Sequence, residues 1–120
     1  MIDSDFVRTM ARYNRWQNRN LYVAAEALDD TARRADRGAF FGSIHATLSH
    51  LLWGDTVWMS RFDGWEKPDV GIPGSGDWVA DWQALTARRA GVRPVDLQLL
   101  IDDGNVDLET IAAAQRVAPR

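Results

Sequence analysis

Between Ser4 and Asp29 the chain returns to an apolar or near-apolar residue every three or four positions: Phe6, Met10, Tyr13, Gln17, Leu21, Ala24 and Leu28. That rhythm draws one stripe along an α-helix, and a stripe this long folds only if other elements cover it. Ser4 is placed to cap the start. Arg8, Arg12, Arg15 and Arg19 keep the same rhythm on the other side. The arginine row reads either as a basic patch for an anionic partner or as a solvated outer face. The net charge of -3 favours the solvated face.

A polar linker, DDTARRADRG, leads to a second helix from about Phe41 to Phe62. Its stripe is Ile44, Leu48, Leu51, Asp55, Trp58 and Phe62. Leu52, Trp53, Val57 and Met59 fall outside that line, so the helix is apolar nearly all round and is buried on several sides or lies in an interface. Leu51→Ala is expected to cost roughly 2–5 kcal/mol, as truncations of buried leucines do. Asp63-Gly64 is a stop, and the glycine- and proline-rich stretch from Gly64 to Gly76 is a loop. Asp77 is expected to cap a third helix with Trp78, Val79, Trp82 and Leu85 inward, ended by Gly91. Beyond it, Pro94 and Asp107 mark the starts of two short helices. No strand pattern and no internal repeat is present, so the expected fold class is all-α, an antiparallel helical bundle in a single domain over residues 1–120.

Composition narrows the function classes. The chain has no cysteine, which removes disulfides, cysteine zinc sites and a thiol nucleophile. No apolar run approaches the roughly 18 residues of a membrane span. The opening MIDSDFVRTM is acidic and polar where a signal peptide is basic and then apolar, so a cytoplasmic location is expected. The acidic balance argues against nucleic acid as a main partner.

Two histidines exist, His45 and His50, both on the second helix. Their spacing turns them about 140° apart, so they do not chelate one metal together. Asp55 stands on an apolar stripe, where a carboxylate has to be paired, hydrogen-bonded or metal-linked. One reading makes His50 a metal ligand and Asp55 a second ligand or an orienting group. The other makes His50 an interhelical histidine and pairs Asp55 with Arg12, Arg15 or a tyrosine. Trp53, Trp58, Trp65, Trp78 and Trp82 line a ligand pocket, pack in the core or form a dimer surface. GIPGSG lacks the lysine and the preceding strand of a phosphate loop, and no GxGxxG or HExxH is present.

The runs MARYNRWQNRNLYVAAEALD and GSIHATLSHLLWGDTVWMSRFDG, with their separation, resemble the amino-terminal part of the DinB family, DinB/YfiT-like four-helix-bundle proteins. The similarity extends to about Arg89. The resemblance implies an up-down-down-up bundle, often a homodimer, and a divalent zinc or nickel ion on three histidines. One of these is matched by His50 in SHLLWGD, and the other two belong to an HxxxH motif on the last helix. It also implies hydrolase-like or thiol-transferase relatives. No histidine follows His50 here, and residues 91–120 diverge, so the last helix is expected to be truncated or altered and the metal site at His50 and Asp55 degraded. A metal-free protein that binds an unknown small-molecule ligand, or only a second copy of itself, is the alternative.

Overall fold

The computed structural model describes residues 3–91 of the 120. They form an all-α bundle: α1 (Ser4–Glu26), a short α2 (Asp30–Arg34), α3 (Ile44–Asp63), a 3-10 turn (Ile72–Asp77) and α4 (Trp82–Gly91). Among the described residues there is no strand, only an isolated bridge between Ala39 and Gly42. No described helix is long and apolar enough to cross a membrane. The helices expected after Pro94 and Asp107 lie outside the described residues.

Each helix starts at a side chain that accepts an otherwise orphaned backbone N–H. Asp3 accepts from Phe6 at 2.8 Å, Asp29 from Ala32 at 2.7 Å, Ser43 from Ala46 at 3.0 Å and Asp81 from Ala84 at 2.9 Å. The caps of the first and last helices are therefore Asp3 and Asp81, not Ser4 and Asp77. In both cases an aspartate at the right offset outcompetes the expected residue. α3 stops at Gly64, whose φ of 69° is the left-handed conformation that glycine adopts without penalty. The expected linker holds a helix of its own. Arg33 in α2 donates from Nη1 to Ala25 O at 3.1 Å and to Leu28 O, so it ties α2 to the carbonyls around the end of α1. Its guanidinium also lies 4.5 Å from the centre of the Trp82 ring.

The core gathers Ala25 of α1, Leu48 and Leu52 of α3, and Val79, Trp82 and Leu85 of the last segment, with Tyr22, Ile44, Trp78 and Ala84 packed against it. Val79, Trp82 and Leu85 thus point inward as expected. The stripe of α1 does not. Phe6, Met10, Tyr13 and Leu21 are each about half exposed, and the buried positions are Val7, Ala11 and Ala25. The face is displaced by one residue, about 100° around the helix. The reason is that the true inner row contains Asn14 and Asn18 and looks polar in sequence. Asn18 Nδ2 donates to Asn14 O at 2.9 Å and to the Asn14 side chain, so part of this polarity is met within the helix. In α3, Leu51 is 41% exposed and its neighbour Leu52 is fully buried. The expected core leucine is therefore Leu52. A helix apolar all round offers no periodic signal to choose between them.

Candidate functional site

The loop expected from Gly64 to Gly76 ends in a 3-10 turn that is riveted to α3. Ser49, fully buried, donates its Oγ–H to Ser75 O at 2.8 Å and accepts from Val79 N at 3.2 Å. Trp53 Nε1 donates to Val70 O at 2.8 Å. At Gly76 a Cβ would stand 3.3 Å from Ala46 Cβ, so the absent side chain lets the turn close on the helix. These contacts fix Ser75 against the first half of α3.

His50 lies on this platform. Its Nδ1 is 2.8 Å from Ser75 Oγ, and Ser75 Oγ itself donates to Ile72 O at 2.6 Å. With the only hydroxyl proton directed to Ile72, the serine oxygen accepts from His50, which places the imidazole proton on Nδ1. Nε2 then carries the lone pair. A ring whose Nδ1–H is held by an oxygen while Nε2 is left basic is the arrangement of an oriented ligand or base. Phe41 stacks on the imidazole at 4.0 Å and Trp53 at 5.6 Å between ring centres. Removal from water pushes the His50 pKa down and favours the neutral ring.

Asp55 is engaged elsewhere. Its Oδ2 is 2.7 Å from Nη2 of Arg89, which is 7% exposed, so the acid on the stripe answers a cation of α4 rather than Arg12, Arg15 or a tyrosine. His50 contacts the 3-10 turn and Phe41, and Asp55 contacts α4. The two candidates thus address different neighbours of the same helix. His45, 3% exposed, joins α3 to the segment before α4 by Nε2–H donation to Val79 O at 2.8 Å, so its role is structural.

The tryptophans likewise disperse. Trp53 secures the loop, Trp82 is core, and Trp78 lies under Arg88 at 4.2 Å. Trp58 stacks on Phe62 at 5.8 Å, and Trp65 donates to Asp63 at 2.8 Å. They form no single pocket wall.

A divalent ion on three protein ligands is not fitted by the described residues. No group of three or more His, Cys, Asp or Glu is gathered among them, and one imidazole is too few for a closed site. SHLLWGD singles out His50 as a candidate, but no motif points to its neighbours Ser75 and Phe41 or to Arg89 as the partner of Asp55. Only Ser75 left a trace, as the serine inside a glycine-rich loop that needed an anchor.

In comparisons with known proteins, no curated protein and no solved structure gives a match. The family model described as DinB family matches residues 1–90. With three quarters of its length matched by that model, the chain belongs to the DinB family.

Proposed function

We propose that this chain is a DinB relative in which the metal centre of a hydrolase or thiol transferase is reduced to one oriented ligand, His50, offering Nε2 to zinc or nickel. The observation that carries the reading is the relay from His50 Nδ1 through Ser75 to Ile72, which leaves Nε2 basic. A lone imidazole anchors a metal weakly and does not by itself generate the bound hydroxide or thiolate that such chemistry needs. Asp55 enters this reading as the counter-charge of Arg89. Titration of the full chain with zinc and with nickel, followed by histidine ring NMR, tests it. The expected result is a weak, saturable response of His50 that spares His45 and vanishes in His50→Ala. Stoichiometric metal kept through chelator dialysis, in wild type and in His50→Ala alike, would overturn it.

A second reading, a self-associating protein without chemistry, is favoured by one observation. The outward row of α1 holds Phe6, Met10, Tyr13, Trp16 and Leu21, all 46–59% exposed. A row of this kind fits a second copy of the chain better than solvent. Both readings place the protein in the cytoplasm, with neither nucleic acid nor membrane as its partner.

A further inference from the structure

A cleft of about 720 Å3 opens between the second half of α1 and the last turns of α4. Small-molecule sites span roughly 300–1,000 Å3. Arg89 lines it while only 7% exposed. Its guanidinium is close to Asp55, yet neither Nη has a hydrogen-bond acceptor in line. Beside it the Tyr22 hydroxyl is also buried and without a hydrogen-bond partner. The Tyr22 hydroxyl is thus a buried donor with no acceptor, and Arg89 is a buried cation whose charge is met by Asp55 while its N–H groups keep no acceptor in line, so both have hydrogen bonds left to give.

The charge around them has one sign in excess. Arg15 and Arg19, one turn apart on α1, line the same cleft, and neither is ion-paired with a described residue. Glu26 is the one acid among the lining residues, and its carboxylate already accepts from Trp82 Nε1. Val23 and Ala27 supply an apolar wall. Burial pushes the Tyr22 pKa up to about 12, with Asp55 adding to the rise and Arg89 opposing it, so the phenol remains a proton donor at neutral pH.

We infer that this cleft binds a small organic anion with an apolar tail: a carboxylate seated on Arg89 and the Tyr22 hydroxyl, drawn in past Arg15 and Arg19, its tail against Val23 and Ala27. A guanidinium fork matches a carboxylate in two parallel hydrogen bonds, and the phenol adds a third. The site is separate from His50, which faces the 3-10 turn, and does not depend on the metal reading.

Calorimetric titration of the full chain with octanoate tests it, with octanamide as the neutral counterpart and acetate as the anion without a tail. Octanoate is expected to bind saturably at one per chain, with octanamide and acetate each roughly tenfold weaker or more. Arg89→Lys keeps a cation opposite Asp55 but removes the fork, and is expected to lose about tenfold in octanoate affinity. The double variant Arg15→Gln with Arg19→Gln changes only exposed positions. It is expected to weaken octanoate severalfold with an unchanged melting temperature, which separates recognition from folding. No saturable binding, equal binding of octanoate and octanamide, or unchanged affinity in the double variant and in a folded Arg89→Lys would each overturn the assignment.

Discussion

Leu52 is sealed from solvent at 0% exposure, while Leu51, one position earlier, stands 41% exposed. Truncating a sealed leucine removes its contacts and leaves a cavity, so Leu52→Ala is expected to cost roughly 2–5 kcal/mol. Leu51→Ala is expected to cost well under half of that. Urea unfolding of the two variants beside the wild type checks the order, and a larger loss in Leu51→Ala would mean that α3 is rotated. His50 gives a second expectation at this scale. Its folded pKa lies below the ordinary 6.5, so the unfolded chain takes up the proton first as pH falls. Stability is therefore fully present above pH 6.5 and declines below it, toward the folded pKa. Denaturant midpoints at pH 7.5 and pH 5.5 should fall further in wild type than in His50→Gln. An equal fall in both would remove His50 as the source. His50 itself was legible from its motif. Its serine partner was not, because the contact spans 25 residues and is made by a loop with no periodicity to read.

At the scale of the element, the positions of the helices were readable and their faces less so. α1 was expected from Ser4 to Asp29 and runs from Ser4 to Glu26. Its end comes where Arg33 of α2 reaches back to the carbonyls of Ala25 and Leu28. The choice of inner face turned on Asn14 and Asn18, which look outward-facing by polarity but satisfy one another on the packed side. Hydrophobic periodicity ranks rows by apolar content, and it has no means of discounting a polar pair that closes its own hydrogen bonds. The start of α3 offers a direct check of local coding. Ser43 accepts from Ala46 N at 3.0 Å, and α3 carries the platform under His50. Ser43→Ala is expected to cost about 1 kcal/mol, and Ser43→Asp to restore most of it. Thermal unfolding of both variants measures this, and no loss in Ser43→Ala would mean that the cap is supplied by solvent.

For the whole molecule the decisive feature is the face of α1 that the described residues leave open. The all-α class was legible from the helical spacing of apolar residues, and the family from the two motif runs within residues 1–90. The outward row looks like core in sequence because large apolar side chains are usually buried, and one sequence does not distinguish burial within a chain from burial between chains. Phe6, Met10, Tyr13 and Leu21 share one side of a helix 23 residues long, and the Tyr13 ring stacks on the exposed Trp16 at 6.0 Å. Against a second copy, a self-complementary row of this kind meets itself across a two-fold axis, the commonest symmetry of soluble oligomers. Sedimentation velocity across a concentration series is therefore expected to show a dimer. Met10→Asp combined with Leu21→Asp puts two like charges on each contributing face, so four meet unpaired in the interface. This variant should shift the protein to monomer, with helix content by circular dichroism retained, since neither residue contributes to the buried core. A wild type that sediments as a monomer at the highest concentration would remove the self-association reading. It would leave the His50 and Arg89 sites untouched, because neither draws a residue from the exposed row.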